Sequence, residues 1–298
     1  MDIFIQQCIN AIIIGCFYSL IALGYTMVFG VIRLLNFAHG DIFMVGSFVG
    51  FTVLSFLTGM PSLLGLGLAL LISMVVIGLF GVVVERIAYR PLFNASSRLA
   101  VLITAVGVSL FLQNGIMLTY GASFRVYPIH LSNKGFSILG ANLSYMQLGI
   151  IIFSIFMMVA LHIFIHKTLY GKAMRSIAID STATSLMGIA VHRVIAMTFF
   201  IGSSLAAAAG VMDGVYYGQI NFLMGFIIGL KAFTAAVIGG IGSIKGAMLG
   251  GLLLGIVETI GTVYVGSAWK DVFAFGILIL LLVFKPTGIL GENEVERV

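Results

Sequence analysis

Nine apolar runs, over roughly residues 9–32, 42–58, 62–84, 99–119, 146–166, 194–217, 226–241, 247–265 and 271–285, leave this chain no room for a soluble core. Most approach the about 20 residues that carry a helix across bilayer hydrocarbon, and exceed the about 9–11 of a membrane β-strand. In lipid every backbone N–H and C=O must be paired within the protein, which leaves helices or closed barrels. Run length selects helices. The expected fold is an all-α, polytopic integral membrane protein of eight to ten transmembrane segments, forming one transmembrane domain over residues 1–298.

Composition agrees: 61% of residues are hydrophobic and 8% charged, outside the range of soluble globular domains. The formal charge of +5 comes from Lys and Arg in the loops rather than on one basic face, so nucleic acid is not an expected partner and lipid is. Cys8 and Cys16 fall in or near the first run, where they read as small buried hydrophobes. No Lys or Arg precedes Arg33, so the positive n-region of a secretory signal is missing and the first span is expected to be retained.

Positive loops mark the cytoplasmic side. Glu85–Arg98 carries Arg86, Arg90 and Arg98, and the stretch 167–193 carries Lys167, Lys172, Arg175 and Arg193. Both are expected in the cytoplasm. Gly121 to Tyr145, between two intervening spans, then faces outside, with Ser123, Arg125, His130, Asn133 and Lys134 as its polar residues. The same alternation puts the N-terminus outside and the C-terminus, after Lys285-Pro286, inside.

The polar stretch 167–193 has a distinctive centre. Ser176 to Gly188 contains no Pro, and Gly188 suits a helix stop. Small side chains (Ala178, Ser181, Ala183, Ser185) would let a short helix lie shallowly in a groove of another protein, although an ordinary loop has the same composition.

Two segments interrupt the apolar pattern. Asn36-Phe-Ala-His39-Gly40-Asp41 is either a cytoplasmic turn or a break at membrane depth; such a break requires burial in protein or a water-filled cavity. Half-helix ends facing a cavity offer dipoles to a zwitterionic solute. The second segment, Gly229 to Glu258, includes Gly239, Gly240 and Gly242. It is no phosphate loop, because no Gly-x4-Gly-Lys-Ser/Thr occurs in the chain, so its glycines point to close packing and sharp bends. No clear sequence repeat joins the two halves, and the pairing of the interruptions rests on position and Gly content.

Charged residues inside apolar runs should face protein or water. Lys231 is expected to snorkel, Asp213 lies near a span end, and Glu258 reads first as a helix–helix hydrogen-bonding group. His162 and His166 have the i, i+4 spacing of a metal pair, but no Glu follows the first and no other carboxylate or thiolate lies nearby in sequence. No metal or catalytic site is assigned.

Gly171-Lys-Ala-Met-Arg175, Ala178, Asp180 and Leu186-Met-Gly188-Ile-Ala190, followed by Arg193-Val-Ile and an Ala-rich span, resemble the coupling loop of ABC importer permeases, and specifically the branched-chain amino-acid permease family. Asn36 to Asp41, Glu85-Arg86 to Pro91, the Gly239–Gly246 string and Lys285-Pro286-Thr-Gly288 resemble the same family in the same order. Two departures are Ile179, where relatives often carry an acidic or polar residue, and Lys245, which replaces a common proline. The resemblance implies a bacterial cytoplasmic-membrane subunit with no cofactor of its own. It would pair with a second permease, dock on two cytoplasmic ATPases that hold ATP and Mg, and receive solute from an extracytoplasmic binding protein. The paired interruptions point to a substrate pathway past Asn36, His39, Gly40, Asp41, Gly239, Gly240, Gly242 and Glu258, and the resemblance implies coupling through Gly171, Arg175, Ala178, Asp180, Leu186 and Gly188.

The competing class is an ion-coupled secondary transporter, for which Glu258 with Asp41 makes a thin relay. A membrane enzyme is less well supported, since no catalytic cluster recurs at a membrane face. Leucine, isoleucine and valine are the substrates the resemblance implies, with urea or short amides as the alternative within the family.

Overall fold

The computed structural model describes residues 2–57, 62–93, 98–129, 135–138 and 141–291. Its helices are α1 (Asp2–Ile32), α2 (His39–Phe56), α3 (Ser62–Val84), α4 (Arg98–Tyr120), α5 (Tyr145–Lys167), α6 (Leu169–Ile179), α7 (Ser181–Leu186), α8 (Val191–Tyr217), α9 (Met224–Gly239), α10 (Ile244–Val265) and α11 (Lys270–Phe284). Among the described residues eight helical segments are long and apolar enough to cross a membrane, and α9 is a shorter apolar helix of 16 residues. The chain is thus an all-α polytopic membrane protein, with the expected span count.

Burial separates the helices by role. α1 and α8 form the centre, with 83% of the best span window buried in each, against 28% for α4 and for α5. Their neighbours pack through small residues, which let backbones approach closely without a hydrophobic driving force in lipid. α10 lays Gly251 and Gly255 on Ser19 and Gly15 of α1, and α3 lays Gly78 and Gly81 on Ser204 and Ser203 of α8.

These pairs belong to an inverted repeat. Ser19 Oγ of α1 donates to the Met248 carbonyl of α10 at 2.8 Å, and Ser204 Oγ of α8 donates to the Met74 carbonyl of α3 at 2.8 Å. α1 leads through Asn36-Phe37-Ala38-His39-Gly40 into α2, and α8 leads through Asn221-Phe222-Leu223-Met224-Gly225 into α9. In both, the Asn carbonyl accepts the N–H three residues on (His39, 3.0 Å; Met224, 3.2 Å) and a shorter helix begins there. α1 and α8 run antiparallel: Gly24 faces Gly202, while Phe17 and Asn10 reach Tyr216. A pseudo-two-fold axis passes between Gly40 and Gly225, which lie in contact. The halves are therefore related after all, by an Asn-Phe-x-x-Gly motif too short to stand out from the apolar background.

The first break folds back into the helical bundle. His39 packs beside Gly24, eight residues before the end of α1 at Ile32, or about 12 Å back along the helix. The second interruption differs from the sequence-based reading. The break that matches the first is Asn221–Met224, directly after Gln219–Ile220, whereas Gly240–Ser243 is a tight α9–α10 connection beside Gly30, Thr287 and Gly291 at one end of the bundle. Gly240 (φ 103°) and Gly242 (φ 98°) adopt backbone that favours glycine there.

That end also carries Arg33, Arg86, Arg90, Lys167, Lys172, Arg175, Arg193, Lys245 and Lys285, and is called the basic end below. At the opposite end β1 (Arg125–Val126) pairs antiparallel with β4 (Gln219–Ile220), and β2 (Gly135–Ile138) pairs with β3 (Ala141–Ser144). The β1–β4 pair holds the stretch after α4 beside the end of α8, as the expected alternation requires. His130, Asn133 and Lys134 lie outside the described residues.

Candidate functional site

The residues of the first break are packed. Asn36 Oδ1 accepts the Tyr89 hydroxyl at 2.6 Å. Tyr89 closes a π-helical turn, Glu85–Tyr89, that continues α3, and its ring packs on Phe199 of α8. The sequence placed this turn in a loop. Its wider winding brings Glu85 inside, where Arg90 donates to both carboxylate oxygens (Nε to Oε1 3.0 Å, Nη2 to Oε2 2.8 Å). His39 is buried between Gly24 and Tyr25, with its Nε2 unpaired. Asp41, in the first turn of α2, accepts from Ser109 and from Gln113 Nε2 (3.1 Å), tying α4 to the break. Gly40 rests on Gly225 and Gly229 of α9. Asn36, His39, Gly40 and Asp41 thus come together at the joint between α1 and α2, where α2 crosses α9, and line neither polar cavity described below. Gly239, Gly240 and Gly242 lie apart from them, at the basic end.

Glu258 is the focus of a buried charge cluster. Tyr18 of α1 donates to both of its oxygens (3.0 and 2.9 Å), Lys231 of α9 reaches Oε1 at 3.2 Å, and Lys270 reaches the same oxygen at 2.9 Å. The helix–helix role expected for Glu258 holds. Snorkelling does not hold for Lys231: it is 3% exposed and bridges Glu258 and Asp271 (2.7 Å). The pairing was invisible in sequence because its partners lie 27 and 40 residues away, on α10 and α11. A buried ion is tolerated only when paired and hydrogen-bonded, and this cluster meets the condition for Glu258 and Lys231.

Beside the cluster, toward the end opposite the basic one, is a cavity of about 230 Å³. Ile14, Phe17, Asp213, Asn221, Ile227 and Lys270 are among its walls.

At the basic end α6 and α7 form an elbow. Thr168 caps α6 by accepting the Gly171 N–H (3.1 Å), and Gly171 is small because the Ile165 carbonyl leaves no room for a Cβ. Arg175 donates to that same carbonyl, closing the α5–α6 corner. Asp180 then breaks the helix and caps the next one, its Oδ1 accepting the Ala183 N–H at 2.9 Å. Gly188, at φ 84°, stops α7 as expected. The helix expected over Ser176–Gly188 is therefore two helices hinged at Asp180. Ile179, Leu186 and Met187 stand exposed on this elbow, while Met174 and Ile177 face the bundle. Ala178 and Asp180 line an open cavity of about 1150 Å³, with Arg33, Arg86, Arg90 and Arg193 on its other walls. The His162 and His166 rings lie tilted against each other at the end of α5 (centroids 4.2 Å apart), and no third ligand-type side chain joins them among the described residues.

Residues 7–282 match the family model described as the permease component of the branched-chain amino acid transport system. The chain is 47% identical over 302 residues to BraD of Pseudomonas aeruginosa, a high-affinity branched-chain amino acid transport system permease protein, covering 99% of this chain and 98% of that one. It is 46% identical to LivH of Escherichia coli K12, which carries the same description, over 99% and 98% of the two chains. A probable LivH of Methanocaldococcus jannaschii is 27% identical over 95% and 91%. A solved structure of PsaBC from Streptococcus pneumoniae in complex with Fab shares the fold, with a TM-score of 0.50 at 12% identity over 93% of this chain and 91% of that one. With match and fold both running nearly end to end, the chain belongs to the family of branched-chain amino acid ABC transport permeases.

Proposed function

We propose that this chain is the membrane-spanning subunit of an ATP-driven importer for leucine, isoleucine and valine in a bacterial cytoplasmic membrane. Basic loops are retained in the cytoplasm, so the basic end faces ATP. There the α6–α7 elbow docks on an ATPase subunit. A second, related permease completes the membrane pore, and two ATPases hold ATP and Mg. An extracytoplasmic binding protein delivers solute to the opposite end. The observation that carries this reading is the elbow itself: a six-residue helix, capped by Asp180 and stopped by Gly188, presents exposed Ile179, Leu186 and Met187 where an ATPase groove can cover them. The names borne by BraD and LivH supply the substrate class.

Within the chain, Gly171 and Arg175 fix the elbow to α5, Asp180 and Gly188 shape it, and Ala178 and Leu186 belong to its contact surface. The solute pathway runs past the α2–α9 crossing. Asn36, His39, Gly40 and Asp41 hold the half-helices together there, and Glu258 anchors the wall formed by α1, α9 and α10. Gly239, Gly240 and Gly242 form the tight α9–α10 turn at the cytoplasmic end of that pathway.

Reconstitution tests the reading. Proteoliposomes holding the assembled importer should accumulate radiolabelled leucine when the ATPase side has ATP and loaded binding protein is on the other. Uptake by this chain alone, driven by a proton or sodium gradient, would overturn the mechanism. Urea uptake without leucine uptake would overturn the substrate.

A further inference from the structure

We propose that the cavity of about 230 Å³ beside Glu258 is a binding station for a free zwitterionic amino acid with an aliphatic side chain, with Asp213 holding its ammonium group. This rests on the import reading above.

Three observations support it. The first is charge. Among the described residues that line this cavity Asp213 is the acid and Lys231 and Lys270 are the cations, and both lysines already bond to Glu258. Asp213 is 5% exposed, lines the cavity, and makes no hydrogen bond or ion pair with a described residue. A carboxylate left in that state is unfavourable, and an entering ammonium group relieves it.

The second is polarity. Lys270, a third exposed on its side chain, and the first turn of α9 at Met224, whose N-cap Leu223 offers no side-chain acceptor, line the same cavity. A helix N-terminus and a partly free ammonium together suit a carboxylate. Phe17, Ile227 and Ile228 also line it and give an apolar wall for an aliphatic tail. The volume lies below the about 300–1,000 Å³ that take drug-sized ligands, and fits a solute of amino-acid size.

The third is the difference between the two breaks that the pseudo-two-fold relates. Tyr89 fills the first by bonding Asn36, and the joint is closed. The second is open, with Asn221 and Met224 on the cavity wall. Half-helix ends that line a cavity in a repeat-built transporter are where a solute is held. Urea has neither charged pole, so such a station selects against it.

The test uses the assembled permease–ATPase complex in nanodiscs, without binding protein, and a photoreactive diazirine analogue of leucine. Illumination should label the peptides carrying Phe17 or Ile227. Leucinol, which lacks the carboxylate, and isocaproate, which lacks the ammonium, should each compete at least tenfold more weakly than leucine. Asp213→Asn should cut labelling and reconstituted uptake at least tenfold, while ATPase stimulation by loaded binding protein persists. Asp213→Glu should retain both within about threefold. Labelling elsewhere, equal competition by leucinol or isocaproate, or unchanged labelling in Asp213→Asn would each overturn the station. So would an equal loss in Asp213→Glu. If the unsubstituted importer takes up no leucine, the import reading itself fails; if it does and Asp213→Asn matches it, only the station fails.

Discussion

Replacing Gly40 with alanine puts a methyl group into the α2–α9 crossing. The new Cβ would lie 2.6 Å from Gly229 Cα, with the Gly225 carbonyl also in the way. Carbon atoms rest about 3.5–4.0 Å apart, so the two half-helices must separate by about 1 Å. Both obstructing groups are backbone and cannot rotate aside. Overpacking of this kind costs about 1–3 kcal/mol, and the upper end applies because nothing flexible absorbs it. Removing a glycine from a helix returns up to about 1 kcal/mol. The net destabilisation is about 2 kcal/mol, or roughly 3 °C in Tm for a chain of this size. Gly107 in α4 provides the control, because a Cβ there meets nothing within 4 Å. Gly107→Ala should therefore leave Tm unchanged or raise it. The assay is thermal unfolding of the detergent-solubilised protein, followed by size-exclusion of a fluorescent fusion. If Gly40→Ala melts at or above the parent, the close crossing of the half-helices is wrong.

Three further outcomes are expected. Asp180→Ala removes a cap worth about 1 kcal/mol, and Gly188→Val forces a φ of 84° on a branched residue at about 1–2 kcal/mol. Each should weaken ATPase stimulation in the assembled importer more than docking of loaded binding protein, and full stimulation in both would count against the elbow. Glu258→Gln and Lys231→Met should each cost about 3–5 kcal/mol in thermal melts, with the double variant well short of the sum, because each alone strands its buried partner. A cysteine at Ser123 should react with an impermeant maleimide on intact cells, since that exposed residue lies opposite the basic end; protection there, with reaction only after permeabilisation, would invert the topology.

The legible parts of the sequence were those written in local chemistry. Run length gave the spans, and Gly188 marked a helix stop that the left-handed backbone bears out. Asp180 was flagged, yet its cap splits the expected helix, because a residue's choice between helix interior and N-cap depends on how the flanking segments pack. Lys231 was misjudged for a different reason. Its partners Glu258 and Asp271 come from other helices, and no local pattern announces a tertiary ion pair. The break at Asn221 was missed although its Asn-Phe-x-x-Gly repeats that at Asn36. Comparing the two interrupted halves residue by residue, rather than counting glycines, would have found it. The π-helical turn at Glu85–Tyr89 carries no such mark. It is explained by Tyr89 reaching Asn36 and by Glu85 meeting Arg90 inside the bundle.

Coupling of the basic end to a cytoplasmic ATPase is tested at Leu186. This residue is 84% exposed on α7. A single cysteine at Leu186, with Cys8 and Cys16 replaced by alanine, is to be labelled with an impermeant maleimide in inside-out membrane vesicles. The account predicts rapid labelling after the ATPase is stripped, protection when it is added back, and no labelling on intact cells. Labelling from the outside of intact cells, or equal labelling with and without the ATPase, would contradict it.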